Sequence, residues 1–288
     1  MSSGRTIVIS SGRYAMEIDP AVGASVRNLR WNGIDIFRSQ TKAGVLESGY
    51  FPLVPFCNRI AGSAFVFAGQ RIVLTPNHPT VLDDPVLHGN GWLSVWRVEA
   101  QDIASATLVV DHDCGEWPWR FRARHSFTLD GDGLAMSLEI ANRSDTAMPV
   151  GLGFHPFFPR DETTIVHALH HGEGQADGSA EMRKNPIDWW IGKTIGSRIV
   201  DTTYIERRGE IRIEWPDRGL GAALAPGPRL PFTHVYVPAG ESFFCVEPVS
   251  HLPEAFATED PTKGWQTLVP GEMLKVSFRI RAYPLASP

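Results

Sequence analysis

One of the most apolar runs in the chain ends in a carboxylate, and this is its first indication of chemistry. Glu247 directly follows residues 243–246, which read Phe-Phe-Cys-Val. Successive side chains of a β-strand point to opposite faces, so Glu247 shares a face with Phe243 and Cys245, and the other face is apolar too. We therefore expect Glu247 to be partly desolvated, and burial raises the pKa of a carboxyl group toward neutrality. A buried glutamate that only pairs with an arginine or lysine is the competing interpretation.

A histidine upstream could exchange protons with such a carboxylate. In residues 148–158, a predicted strand, one face carries large apolar side chains, whereas Gly151, Gly153 and His155 share the other. Glycine inside a strand often marks the close approach of a ligand or of another backbone. Pro156 is expected to end the ladder and to leave His155 at a strand end. Histidine titrates near neutral pH, although a core histidine beside a bulge explains this pattern equally well.

Two further segments add polar groups of the kind that bind sugars. His88 opens the sequence His-Gly-Asn-Gly-Trp after the turn-rich residues 75–85. An imidazole beside a tryptophan can bind hydroxyl groups and the apolar face of a sugar ring, although a glycine turn with a buried tryptophan has the same sequence. Asn58 and Arg59 interrupt the apolar residues 51–60. The arginine fork is expected either to pair with a buried carboxylate or to bind ligand oxygens.

Composition excludes several classes of protein. The chain has 288 residues, a formal net charge of −5 and charges of mixed sign, so no basic surface for nucleic acid is expected. No apolar stretch is long enough for a membrane span, and the N-terminus lacks a signal-peptide core. Three widely spaced cysteines indicate no disulfide framework, which is typical of a reduced, cytoplasmic protein. His167, His170 and His171 form a cluster, but without a cysteine partner they are not expected to bind metal.

The hydrophobic periodicity is mostly two, which indicates strands. Residues 274–280 alternate apolar with polar side chains, residues 127–129 and 134–140 flank an Asp-Gly-Asp-Gly turn, and Asn32-Gly33 is typical of a type I′ hairpin. No long segment has helical periodicity. The chain is therefore predicted to form one all-β domain over residues 1–288, as a sandwich or barrel. Further strands are predicted at residues 6–10, 14–18, 65–67, 72–74, 96–100, 106–111, 120–124, 210–215, 221–225 and 234–237.

Four motifs in order resemble the aldose 1-epimerase (galactose mutarotase-like) family. They are Asn58-Arg59, His88-Gly89, His155-Pro156 and Glu247-Pro248, and the resemblance runs from about residue 49 to the C-terminus. It implies a large twisted antiparallel β-sandwich with an open sugar cleft, and the interconversion of α and β anomers without a cofactor. The form of the motifs is similar to the bacterial mutarotase-related branch.

The resemblance also implies roles for individual residues. Glu247 corresponds to the base that takes the anomeric proton, and His155 to the acid that protonates the ring oxygen. Arg59, His88 and Asn58 would hold sugar hydroxyls, and so would Asp201, which lies in a matching Asp-Thr-Thr-Tyr setting. A sugar-binding glutamine of the family has no clear match near residues 229–232. The implied protein is a monomer or homodimer that uses no metal.

Three other functions stay open from the sequence. A hexose-6-phosphate mutarotase would need cationic groups for the phosphate, and no arginine cluster is evident. A glycosidase would need two carboxylates, and Asp201 could supply the second. A non-catalytic sugar-binding module would need no acid–base pair. We expect His155 and Glu247 in one cleft, on opposite sides of a sugar-sized gap, and this arrangement distinguishes an enzyme from such a module.

Overall fold

The backbone forms strands and tight turns nearly throughout. The structure, a computed structural model, describes residues 6–174, 180–187, 194–196, 198–257 and 264–286. Its only helices within those ranges are five single 3₁₀ turns, at Val45–Glu47, Ala61–Ser63, Gly91–Leu93, Pro216–Arg218 and Ala255–Ala257. The strands are β1 (Ile7–Ser11), β2 (Tyr14–Asp19), β3 (Ser25–Trp31), β4 (Ile34–Asp35), β5 (Tyr50–Leu53), β6 (Ala64–Phe67), β7 (Gln70–Val73), β8 (Arg97–Gln101), β9 (Ser105–His112), β10 (Phe121–Asp130), β11 (Gly133–Asn142), β12 (Met148–Val150), β13 (Gly153–Pro159), β14 (Ile165–Gly174), β15 (Ala180–Ile187), β16 (Val200–Ile205), β17 (Arg208–Trp215), β18 (Leu220–Pro226), β19 (Phe232–Val237), β20 (Phe243–Val249), β21 (Gln266–Leu268) and β22 (Met273–Pro284).

Two antiparallel layers share strand β14. One layer runs β1–β2–β3–β5–β13–β20–β19–β16–β14, and the other runs β8–β9–β10–β11–β22–β18–β17–β14. The N-terminal part of β14 pairs with β17, and its C-terminal part pairs with β16. The large antiparallel sandwich predicted from the sequence is confirmed.

Alternating side chains of the two layers meet in a continuous apolar core. Every second residue of β10 from Phe121 to Leu129 is buried, as a period of two requires. The layers touch where the Tyr50 hydroxyl lies 2.6 Å from His125 Nε2. The rings of Phe154 and Phe278 also meet, with centroids 5.5 Å apart. Because the core holds both sheets rigidly, side chains on the opposite face of the first layer can be fixed in position.

The turns predicted from the local sequence are present in the structure. Asn32 and Gly33 both have positive φ, at 51° and 79°, and join β3 to β4. The hairpin between β10 and β11 pairs Leu129 with Leu134 around the predicted turn.

The prediction that the chain leaves its strand at Pro156 is wrong, because β13 continues to Pro159. Pro156 interrupts the ladder without ending the strand, since it lacks only the N–H donor.

Candidate active site

A row of side chains crosses five neighbouring strands of the first layer. His155 on β13 pairs with Phe51 on β5, and Glu247 on β20 pairs with His234 on β19. The β13–β20 register of Gly153–Val249 and Phe157–Cys245 places His155 opposite Glu247. Thr203 on β16 then pairs with His234. The row therefore reads Phe51, His155, Glu247, His234, Thr203, with the carboxylate between two imidazoles.

Glu247 and His155 are in direct contact. His155 Nε2 lies 3.3 Å from Glu247 Oε1, and the two residues are 7% and 2% exposed. The imidazole packs against the rings of Phe51 and Phe157, with centroids 4.4 and 4.6 Å away. The prediction that both groups share one cleft is confirmed. The expectation of a sugar-sized gap between them is wrong, because opposed residues on adjacent strands are too close for one.

Burial acts on both members of this pair. It raises the pKa of Glu247 to about 7, as predicted. It lowers the pKa of His155 to about 3, so the expectation of a histidine already near neutrality is wrong. Groups in such contact titrate together. At neutral pH the pair therefore holds at most one proton, and burial favours that proton on the carboxyl group rather than on the imidazole.

A second imidazole, His234, lies on the other side of Glu247. Its Nε2 is 3.2 Å from Asp201 Oδ1, and its Nδ1 is 2.8 Å from Thr203 Oγ1. Burial by itself lowers the pKa of His234, but the carboxylates of Glu247 and Asp201 outweigh burial and raise it. The hydrogen bond to His234 in turn lowers the pKa of Asp201. Sequence reasoning missed His234, since its only signal is one histidine at the start of a predicted strand.

Two loops carry the remaining polar groups to the same place. Asn58 and His88 both have a left-handed backbone, with φ of 59° and 58°. The Asn58 backbone N–H donates to His88 Nδ1 at 3.0 Å, so the proton of the neutral imidazole is on Nε2. Burial lowers the pKa of His88 well below 6.5. Gly89 allows this geometry, because a Cβ there would lie 2.4 Å from Pro55 Cδ and the Val54 carbonyl oxygen.

Arg59 is both paired and accessible. Its Nε and Nη2 donate to the two carboxylate oxygens of Asp84 at 2.9 and 3.0 Å. The side chain is still 42% exposed and borders the cleft. The sequence offered two interpretations of Arg59, pairing with a carboxylate and binding of ligand oxygens, and each describes part of its role. Asp84 fixes the guanidinium in an orientation that suits a ligand.

All six residues singled out in the sequence border one cleft of about 620 Å³. Its wall also carries aromatic rings, of which Phe157 and Phe243 both contact the Arg38 guanidinium, at 4.2 and 4.4 Å. Arg38 also donates to the carbonyl oxygens of Leu46 and Ser48. A concave site that combines ring faces with converging polar groups suits a small polar molecule. The sequence-predicted residues within it are Asn58, Arg59, His88, His155, Asp201 and Glu247.

The glycines beside His155 have a packing role. A Cβ on Gly151 would lie 1.9 Å from His251 Cδ2, and one on Gly153 would lie 2.8 Å from Cys57 Sγ. His251 Nε2 accepts the Cys57 backbone N–H at 2.9 Å, just before Asn58 in the chain. The interpretation of these glycines as a place for a ligand is therefore wrong. They make room for side chains that hold the Asn58 loop.

One cluster has the donor atoms for a metal. His155, Cys245 and Glu247 each offer one ligand atom, and these atoms lie within 4.8 Å of one another. Burial raises the pKa of the Cys245 thiol well above its ordinary range, which opposes the thiolate that zinc requires. His167 and His170 point to opposite faces of β14, and His167 Nε2 lies 3.4 Å from Glu214. These histidines therefore do not converge as ligands.

An antiparallel β-sandwich with a carboxylate–imidazole pair in a polar, aromatic cleft defines the class of the molecule. The family model for aldose 1-epimerase matches residues 5–281, and the chain belongs to the aldose 1-epimerase family. No helix in the described residues is long and apolar enough to cross a membrane.

The chain is similar to several known proteins. The uncharacterized protein YphB of Escherichia coli K12 is 31% identical over 233 residues, which cover 76% of this chain and 79% of YphB. A candidate aldose 1-epimerase from the same organism has a solved structure with a TM-score of 0.87 and 26% identity, covering 98% of this chain and 99% of that one. A galactose mutarotase-like protein of Clostridium acetobutylicum has a TM-score of 0.86 at 18% identity, covering 97% and 95%, and shows the fold alone.

Proposed function

We propose that this protein is an aldose 1-epimerase that interconverts the α and β anomers of a hexose or related sugar. The observation that carries the proposal is the 3.3 Å contact between His155 Nε2 and Glu247 Oε1 at the wall of the cleft. Anomer exchange requires one proton to leave the anomeric hydroxyl while another reaches the ring oxygen. Two adjacent groups that share one proton suit this requirement.

The shared proton can lie on Glu247 or on His155, and the proton balance of the reaction follows from these two arrangements. In the reactive arrangement, Glu247 is a carboxylate and His155 an imidazolium. Glu247 takes the O1 proton, the bond between C1 and the ring oxygen breaks, and His155 protonates the ring oxygen. The products are a protonated Glu247, a neutral His155 and a neutral open-chain aldehyde. Rotation about C1–C2 and the reverse transfers close the ring as the other anomer, and each proton transfer contributes about 10²–10⁴-fold.

The surrounding groups would bind and orient the sugar. The fixed Arg59 fork, the Nε2–H of His88 and the side chain of Asn58 offer donors to hydroxyl groups. Asp201 is 60% exposed on its side chain and keeps acceptor capacity beyond its bond to His234. Phe243, a half-buried ring of the cleft wall, offers apolar surface to the C–H face of a sugar. No cofactor enters this scheme, because the intermediate is a neutral aldehyde.

The test is the approach to anomeric equilibrium of freshly dissolved α-glucose, α-galactose and glucose-6-phosphate, followed by polarimetry or NMR. We expect acceleration with wild-type protein and none with Glu247→Gln. The phosphorylated sugar belongs in the set because Arg38 and Lys42 border the same cleft. If a sugar binds to wild type and its rate stays at the spontaneous value, the protein is a binding module.

A further inference from the structure

His234 is the one imidazole in the row that is held on both ring nitrogens by side-chain oxygens. Asp201 Oδ1 lies 3.2 Å from Nε2, and Thr203 Oγ1 lies 2.8 Å from Nδ1. The Asp201 carboxylate accepts the Nε2–H and favours the protonated ring, and the Thr203 hydroxyl can serve as the acceptor of an Nδ1–H. With both nitrogens engaged, His234 has no free N–H for a sugar, so it cannot be the proton donor of the reaction. Its influence must pass through a neighbour.

That neighbour is Glu247, which pairs directly with His234 across β19 and β20. Opposed side chains on adjacent strands start from Cβ atoms about 5 Å apart. His155 faces the same carboxylate from β13. The two imidazoles differ in that His155 Nδ1 is buried without a hydrogen-bond partner in the described residues, whereas His234 is bonded at both nitrogens. Of these two, only His234 has an acceptor available at both ring nitrogens, which favours its protonated form.

We propose that the Asp201–His234 pair is a positioning device, in which an imidazolium held beside Glu247 increases the fraction of molecules whose shared proton lies on His155 rather than on Glu247. This inference rests on the proposed function, because it concerns the reactive arrangement of that pair. Asp201 then acts mainly by holding His234, a role beyond the sugar contact that the family resemblance implies. A cation on β19 stabilises the carboxylate of Glu247 on the adjacent strand. It also lowers the pKa of His155, but His155 lies one strand further away, so the nearer effect on Glu247 is the larger one and the arrangement that can open the ring becomes more populated.

Other titratable and charged groups around Glu247 and His234 could oppose the effect of His234 on Glu247 or produce the same effect, and they come from every neighbouring element. Those around Glu247 are His155 on β13, Cys245 on its own strand, His234 on β19, Asp201 on β16, and Cys57 and Arg59 after β5. Those around His234 also include Thr203 and His88. Among these, His234 has a raised pKa and lies directly opposite Glu247 on the adjacent strand β19, whereas Arg59 is already paired with Asp84.

The first experiment is the pH profile of kcat/KM for His234→Gln. Glutamine keeps polar atoms for Asp201 and Thr203 but carries no charge. Without the cation, Glu247 keeps its proton to higher pH and the reactive arrangement is rarer. We expect the alkaline limb to move up by about one pH unit and the plateau to fall at least tenfold. The matched control is His171→Gln on β14, a half-buried histidine outside the cleft lining, for which neither change is expected.

A fall in the plateau without movement of the alkaline limb would show a merely structural role and overturn the inference. An unchanged profile would overturn it as well.

The second experiment needs no turnover and no His234 variant. The imidazole of His234 is titrated by NMR in wild type and in Glu247→Gln. Because coupling between two groups is reciprocal, loss of the carboxylate should lower the pKa of His234. Equal His234 pKa values in the two proteins would overturn the inference even if His234→Gln fails to fold. If no sugar is turned over but the two pKa values differ, the proposed function fails and the coupling stands.

Discussion

Replacing Glu247 by glutamine should remove activity and at the same time stabilise the protein above neutral pH. Glutamine keeps the shape and hydrogen-bonding capacity of the side chain but cannot accept the anomeric proton. We therefore expect anomer exchange to fall by at least about 10²-fold, the lower range for one proton transfer. The stability effect has a separate cause, which is the cost of ionising a carboxyl group that is 2% exposed.

The size of that effect follows from the pKa of Glu247. Burial raises it from 4.5 to about 7, and at about 1.4 kcal/mol per pH unit the full difference is about 3 kcal/mol. The folded state binds the proton more tightly than the unfolded state. The contribution of Glu247 to stability is therefore complete below pH 4.5 and is lost as the pH rises through about 7. The raised pKa of His234 depends on the same carboxylate and adds a change of the same sign.

The assay is urea unfolding of wild type and Glu247→Gln at several pH values between 4.5 and 8.5. Subtracting the two free energies of unfolding removes the contributions of the buried neutral histidines. The variant should gain stability relative to wild type as the pH rises, up to about 3 kcal/mol at pH 8.5. Glu241→Gln, an exposed carboxylate of the same cleft, should show no such trend. A difference that stays constant with pH would refute the reasoning, because it would mean that Glu247 ionises normally in the fold.

Three further outcomes are expected. Arg59→Ala should raise KM about tenfold or more and change kcat little, as judged by progress curves at several sugar concentrations; a large loss of kcat at unchanged KM would place Arg59 in the chemical step. Gly151→Ala should destabilise the protein by about 1–3 kcal/mol in urea unfolding, since its Cβ would lie 1.9 Å from His251 Cδ2; an unchanged midpoint would show that the core yields there. Exhaustive treatment with a chelator should leave anomer exchange unchanged, and activity that is lost and then returns with one metal would revive His155, Cys245 and Glu247 as a ligand set.

The sequence predicted the strands well where a period of two and a turn occur together. The hairpin of β10 and β11 and the Asn32-Gly33 turn depend on neighbouring residues, and local chemistry decides such features. It failed at Pro156, because whether a missing N–H ends a strand depends on its neighbours. Here β5 pairs with His155 and Pro156 on one side, and β20 resumes its pairing at Phe157 on the other.

The sequence by itself also determined which residue types were available for chemistry and that Glu247 would be buried, since both faces of its strand are apolar. Only the tertiary structure decided how they act. His155 is far from His234 and Glu247 in the chain, and His234 belongs to no motif. The register of three strands nevertheless brings the three residues into one row. The row lowers the pKa of one imidazole and raises the pKa of the other, because the first is buried against aromatic rings and the second lies near two carboxylates. The pKa of a histidine reflects its surroundings, and those are set by contacts between segments that no local pattern records.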